Sequence, residues 1–381
     1  MERIFSKQTC IRLIFIWTVV IAFLFILDTS KILSGSSTVA LLSFIALLTT
    51  IIIASFGVVQ QADELAHKLG EPYGTLILTL SIVSIEVVLI SAVMLGPTET
   101  PTIGKDSIFS VMMIIMNLVI GLCILVGGLK YGEQEYNAQG SISYHGMIIL
   151  LSGISMLLPN FITGAGNAIF STVQAMTITT LIIIIYTFFL RYQMISYSHL
   201  YVQPKTGSME ILYTEKASYN KDGNDKKKVN IKEIWLRTII LLAMILPIVL
   251  LSHNLATYVD HGIQSLGLPL SLGGVLIAII VFTPESITAV KAAMNNEFQR
   301  VINLCHGAFV STVGLTVPAV LIIGLISGKT VMFGLSSSET ILFVITLLLS
   351  LMNFLGKRTV PLTGLMHLAL FVIFILLLFN P

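Results

Sequence analysis

The chain has 381 residues, of which 55% are hydrophobic and 10% charged, with a formal net charge of +2. Soluble globular domains carry about 25% charged residues, so this composition excludes an ordinary soluble fold. No basic, aromatic-interleaved patch occurs, which leaves no footing for a nucleic-acid partner, and no cofactor is expected. The three cysteines, Cys10, Cys123 and Cys305, are far apart and lie inside or beside apolar runs. They read as packing residues, not as a disulfide framework or a zinc site.

An apolar run of about 20 residues is long enough to cross a bilayer as a helix. Eleven such runs follow in chain order, near 11–28, 38–59, 73–95, 107–129, 144–162, 168–190, 236–255, 268–290, 301–326, 339–355 and 361–379. The first follows Arg3, Lys7 and Arg12, as a signal peptide would. Its length from Ile11 to Leu27 and the absence of a small-residue cleavage site make it a retained leader helix within 1–30. Five spans then occupy 38–190, a polar segment covers 191–235, and five more spans occupy 236–381. The polar segment contains YNKDGNDKKKVN and reads as a flexible cytoplasmic linker, with a regulatory role as the alternative. The expected fold class is an all-α polytopic membrane protein of about eleven helices.

Cytoplasmic connections retain lysine and arginine. Alternating the connections from the N-terminus puts 18 of these residues on one side and three (Lys31, Lys105 and Lys329) on the other. The N-terminus is therefore expected inside and the C-terminus outside. The two five-helix halves then enter the membrane from opposite sides, as two inverted repeats would.

Only two acidic residues lie well inside predicted spans: Glu86 in TLILTLSIVSIEVVLISAVML and Glu285 in LGGVLIAIIVFTPESITAV. A carboxylate in hydrocarbon costs about 2.5–3.5 kcal/mol on insertion scales, so each needs a reason. Each sits in the second span of its half, the place of a midplane ion site between inverted repeats. Pro284 cannot donate to the carbonyl of Ile280, so a helix break is expected there, with that carbonyl free for a cation. Thr283 and Ser286 add hydroxyls beside Glu285, and Ser81 and Ser84 do so beside Glu86. Two carboxylates with neutral oxygens suit Ca2+ or Na+ better than a soft transition metal. The same two charges can be neutralised by protons, so competition between cation and proton gives exchange. For either glutamate alone the alternative is a helix–helix hydrogen bond.

Other residues carry weaker signals. His306, beside Cys305, has the chemistry of a proton relay, and a packing histidine is the alternative. His67, Asp63 and Glu64 precede the third span, either as a cation-attracting vestibule or as a solvated helix end. LPNFITGAGNA (158–168), with Asn160 and Asn167, reads as a tight outward-facing turn and lacks the Lys-Ser/Thr of a phosphate loop.

The stretches ADELAHKLGEPYGTLILTLSIVSIEVVLI (62–90), TPESITAVKAAMNNEFQRVINL (283–304) and STVGLTVPAVL (311–321) resemble the two alpha repeats of the calcium/cation antiporter superfamily. The likeness is greatest to its bacterial ChaA-like Ca2+(Na+,K+)/H+ branch. It implies alpha regions at about 62–129 and 268–326, with Glu86 and Glu285 as the essential ion- and proton-binding carboxylates. It also implies that polar residues of the fourth and ninth spans, such as Asn117 and Ser311, complete the site. Proton-coupled calcium exchangers usually carry Gly-Asn shortly before each glutamate; here VSIE and FTPE stand in those places.

The expected function is antiport of a cytoplasmic cation, Ca2+ first, against protons across a bacterial cytoplasmic membrane. An Na+/H+ or K+/H+ exchanger on the same two glutamates is the alternative, and a channel would lack coupled proton counterflow. An intramembrane enzyme is not expected, because there is no HExxH motif and no aspartate inside the predicted spans.

Overall fold

The computed structural model describes residues 6–69, 73–96, 99–163, 166–204 and 231–380. Among these, eleven long helices follow the expected order. They are α1 (Lys7–Ile26), α2 (Ser37–Leu69), α3 (Tyr73–Met94), α4 (Ile103–Tyr131), α5 (Ala138–Asn160) and α6 (Thr172–Ser196), then α7 (Ile231–Leu266), α8 (Leu272–Met294), α9 (Phe298–Ser327), α10 (Ser337–Phe354) and α11 (Pro361–Phe379). Ten are long and apolar enough to cross a membrane, and the apolar stretch Thr79–Met94 of α3 is shorter. The protein is an all-helical integral membrane protein.

Local chemistry sets the helix starts. Ser171 with Gln174 and Ser336 with Glu339 form capping boxes at α6 and α10, each satisfying two otherwise orphaned backbone donors. Asp28 caps a short helix, Thr29–Ser34, between α1 and α2. Its carboxyl is held down to about 2 by the Ser30 hydroxyl and then by Lys31.

Three boundaries differ from the sequence reading. The whole YNKDGNDKKKVN run lies outside the described residues, while α6 continues to Ser196 and α7 starts at Ile231, so the expected linker of 191–235 is partly helix. Helix α4 begins at Ile103 and α7 runs to Leu266, which buries Asp106 and Asp260 within helices where loop ends were expected. The first extension is possible because Lys105 neutralises its neighbours, 3.0 Å from Asp106 and 2.8 Å from Glu339. The expected break at Pro284 does not occur: α8 is helical from Leu272 to Met294. A proline removes one donor, and tight packing on both sides holds the remaining turns.

Hydrogen bonds sort the helix ends onto two faces. On one, Gln134–Glu135 (β1, after α4) pairs antiparallel with Arg358–Thr359 (β2, before α11), and Arg358 binds Glu133 and Glu135, each at 2.8 Å. Lys130 and Tyr131 bind the Met294 carbonyl, and Gln203 binds the Glu135 carbonyl and the Gln299 amide. Arg237 at the start of α7 pairs with Glu64 near the end of α2. On the other face, Met332 binds the Pro101 carbonyl, Phe333 and Gly334 bind that of Ala168, and Asn160 binds that of Leu335. The segment expected as a tight outward-facing turn at 158–168 is thus tied, through Asn160 and Ala168, to the α9–α10 connection. Among the described residues, the grouping is that of eleven helices alternating in direction.

The most apolar windows of α4, α9 and α8 are 83%, 67% and 61% buried, against 22% for α1, so these three form the centre. Backbones meet closely at two seams. A Cβ on Gly364 would lie 2.7 Å from the Gly121 carbonyl oxygen, joining α11 to α4, and one on Gly314 would lie 2.6 Å from the Tyr186 ring, joining α9 to α6. Small residues permit such approaches where lipid supplies no hydrophobic drive between helices.

Candidate functional site

Glu86 and Glu285 project from α3 and α8 into the interior, close enough to interact electrostatically. Their surroundings differ. Glu86 has no exposed surface, and its Oε2 accepts hydrogen bonds from the hydroxyls of Thr312 and Thr316 on α9, both at 3.0 Å. Its Oε1 has no hydrogen-bond partner. Glu285 has 8% of its surface exposed, and neither carboxylate oxygen has a partner. It borders a cavity of about 920 Å³ that also reaches Thr79, Ser311 and Thr312.

The cavity runs outward to Arg12, Asp63, Lys291 and Arg300. All four lie at helix ends grouped with β1 and β2, so the cavity approaches Glu285 from that face. Both carboxylates are buried, but Glu285 borders the cavity whereas Glu86 is sealed from it. An ionised carboxylate buried with only neutral donors is costly, so the Glu86 pocket calls for a proton or a cation to neutralise it.

The α9 segment bearing the threonines is shaped for this. Thr312–Thr316 forms a π-helical turn within α9, and such wide turns are frequent at functional sites. Tyr186 of α6 donates to the Ser311 hydroxyl at 3.0 Å, and Ser311 donates to the Gly307 carbonyl, so its oxygen is held at the cavity wall.

Of the remaining expected site residues, few join the carboxylates. Ser81 and Ser84 donate to the carbonyls of Ile77 and Leu80, and Ser84 is exposed on the far side of α3. Thr283 and Ser286 likewise donate one turn back, to Ile279 and Phe282. Ile280 is fully buried, and its side chain faces an apolar pocket lined by α2, α3 and α7. Pro284 borders the main cavity directly beside Glu285. Asn117 is engaged elsewhere, donating to Thr346 at 2.9 Å and facing His367 at 3.0 Å. Asp63 lies at the cavity mouth and Glu64 pairs with Arg237, whereas the His67 side chain lies outside the described residues. Sequence reasoning missed Thr312 and Thr316, whose four-residue spacing within STVGLTVPAVL places both hydroxyls on one helix face. No cluster of three or more His, Cys, Asp or Glu side chains suited to a metal occurs among the described residues.

An all-helical membrane protein with paired interior carboxylates and a cavity approaching one of them from one face is of the secondary-transporter class. The chain belongs to the sodium/calcium exchanger protein family, whose profile matches residues 39–195 and 236–380, and within the calcium/cation antiporter superfamily it is ChaA-like. It is 32% identical over 357 residues to the sodium-potassium/proton antiporter ChaA of Escherichia coli (strain K12), covering 93% of each chain. It is 27% identical over 219 residues to a Ca(2+)/H(+) antiporter of Aphanothece halophytica, covering 56% of this chain and 57% of that one. Its fold is similar to that of native YfkE, with a TM-score of 0.68 at 19% identity, covering 96% of this chain and all of that one. It is also similar to the H+/Ca2+ exchanger CAX, with a TM-score of 0.63 at 13% identity, covering 97% and 89% of the two chains.

Proposed function

We propose that the chain is a cation/proton antiporter in which Glu86 and Glu285 form a shared ion and proton site worked by alternating access. One observation carries this: two interior carboxylates, one at a cavity open to a single face and the other sealed beneath two threonine hydroxyls. A cation entering by the cavity meets Glu285 first, with Ser311 and Thr312 as neutral oxygens. Reaching Glu86 requires the Thr312 and Thr316 protons to turn away, so that both hydroxyls present lone pairs.

Obligatory exchange follows from the charge. With Ca2+ bound, or with one monovalent cation and one proton, the two carboxylates are balanced, and with two protons bound they are neutral. The empty, doubly negative site is the costly one to seal from water. Reorientation is therefore confined to the loaded and the protonated states.

The face bearing Arg12, Lys291 and Arg300 is assigned to the cytoplasm by its excess of basic residues, so the cavity opens inward. The pairing of α4 with α11 and of α6 with α9 supports two inverted five-helix repeats, because each pair is the counterpart of the other under exchange of the halves. Ca2+ is the first substrate on the strength of two negative charges. The second reading, Na+ or K+, is favoured by the whole-length similarity to a sodium-potassium/proton antiporter. Proton movement in everted vesicles, driven by Ca2+, Na+ or K+ added separately, tests it. The expected result is coupled, saturable exchange with at least one of them; proton flux unaffected by all three would overturn the proposal.

A further inference from the structure

Behind the cavity wall three histidines meet from three helices: His145 of α5, His306 of α9 and His367 of α11, all without exposed surface. Partners assign the protons of two of them. A backbone carbonyl only accepts, so His145 Nδ1, 2.8 Å from the Ser141 oxygen, carries hydrogen, and Nε2 accepts from the Ser350 hydroxyl at 2.8 Å. His367 lies between Asn353 at 2.9 Å and Asn117 at 3.0 Å.

His306 has no such frame. Beyond the Ile302 carbonyl one turn back, no polar atom reaches its ring nitrogens. Its ring stacks on Tyr144 with centroids 6.2 Å apart, meets Phe354 edge-on at 5.0 Å, and lies 4.6 Å from the His145 ring. The titratable groups around it are Tyr144 and His145 from α5 and His367 from α11. Glu285 of α8 and Cys123 of α4 act on the neighbouring Cys305 instead. From α3, Glu86 meets α9 further along, at Thr312.

We propose that His145 and His306 form a proton-binding pair, separate from the two carboxylates, whose protonation slows exchange by loosening α9 from α5. The proposal rests on the antiport reading above. A buried imidazolium facing another imidazole, without a counter-charge, is costly until it gains water or a partner. Water is near. The Tyr144 hydroxyl accepts from Gln193 at 2.7 Å, and Gln193 and Gly307 both line the cavity, so one tyrosine separates the pair from it. A Cβ at Gly307 would lie 3.4 Å from the Tyr144 hydroxyl, so no side chain blocks that route.

Helix α9 transmits the consequence. Ser311, Thr312 and Thr316 follow His306 on the same helix, so shifting its first half draws the threonine hydroxyls from Glu86. Protein in that arrangement leaves the cycle. The maximal rate falls, while the remaining molecules keep their Michaelis constant.

The test uses the full chain in proteoliposomes, with Ca2+, Na+ and K+ exchange each measured from roughly pH 4 to 8, which covers and extends below the range of about pH 5 to 8 where histidine ordinarily titrates. The wild-type maximal rate is expected to fall on the acid side. In His306→Phe the fall should move by about one pH unit toward acid, so tenfold more protons are needed. His145→Gln should shift it the same way, and neither variant should alter how the Michaelis constant varies with pH. Should a variant fail to assemble, 15N-histidine NMR of the wild-type protein decides: one buried ring must titrate in step with the maximal rate. A wild-type maximal rate constant across this range, variants that keep the wild-type acid limb, or buried rings that do not titrate would each overturn the proposal. A Michaelis constant independent of pH would instead count against the shared-carboxylate mechanism and leave the histidine pair standing.

Discussion

Thr312 donates its hydroxyl proton to Glu86 at 3.0 Å while its side chain lines the cavity that reaches Glu285. One threonine of α9 thus touches the sealed acid and lines the cavity that the other acid borders. On the proposed mechanism, a cation passing between the two carboxylates passes this side chain.

Replacing Thr312 or Thr316 with valine keeps shape and removes one donor to Glu86. On the proposed mechanism each valine also removes a hydroxyl oxygen that turns toward the bound cation, so each variant should raise the cation Michaelis constant about tenfold or more. The double variant should exceed either single one. Ion-driven proton flux in everted vesicles measures it, and unchanged constants would remove both threonines from the site.

Glu285→Gln keeps size and hydrogen-bonding capacity but removes the charge and the titratable proton. Exchange should be lost with protein level in the membrane near normal, and Glu86→Gln should behave alike. Glu285→Asp keeps the charge but withdraws it by one methylene, so weakened transport is expected. Full exchange by Glu285→Gln would leave that residue a packing role only.

If protons and cations compete for the carboxylates, the Michaelis constant must rise as pH falls. The sign follows from linkage: the empty site holds protons that the loaded site has lost, so added protons favour the empty form. For one competing proton the limiting slope is about tenfold per pH unit. A flat profile would place the proton at a separate site.

On the opposite face Lys105 is held between Asp106 and Glu339, with only 9% of its side chain exposed. Lys105→Met leaves buried Asp106 and partly exposed Glu339 without their cation, and breaking a buried pair in this way costs about 3–5 kcal/mol. Thermal unfolding in detergent should show a clear fall in Tm, smaller for Glu339→Gln, which leaves Lys105 paired with Asp106. Equal Tm values for wild type and Lys105→Met would show the cluster to be solvated.

Topology is tested with single cysteines at Lys357 and Thr330, on connections of opposite assignment. An impermeant thiol reagent should reach Thr330→Cys from outside intact cells and Lys357→Cys only in everted vesicles. Labelling of both from one side would break the eleven-span alternation.

The spans and the two glutamates were legible because each violates the cheap solution: long apolar runs need lipid, and a carboxylate in such a run needs a partner. Thr312 and Thr316 were not, because a hydroxyl in an apolar helix can satisfy itself on the carbonyl one turn back. Ser81, Ser84, Thr283 and Ser286 do so, and nothing in composition separates them from the two threonines that reach across to Glu86. Pro284 was over-read, since a proline weakens a helix locally while packing decides whether it ends. Asp106 was missed for the reverse reason: its partner Lys105 is its own neighbour, and Lys105 is shared with Glu339 from a helix 234 residues further along.

The contact between Gly121 and Gly364 limits what can move. Two backbones touch there without intervening side chains, and the β1–β2 pairing with the double grip of Arg358 fastens the same helices at one end. Helices α4 and α11, from opposite halves of the chain, are therefore one rigid piece. If the protein works by the proposed alternating access, the line along which it flexes cannot follow the boundary between the halves, and each half must surrender helices to a common frame against which the others slide.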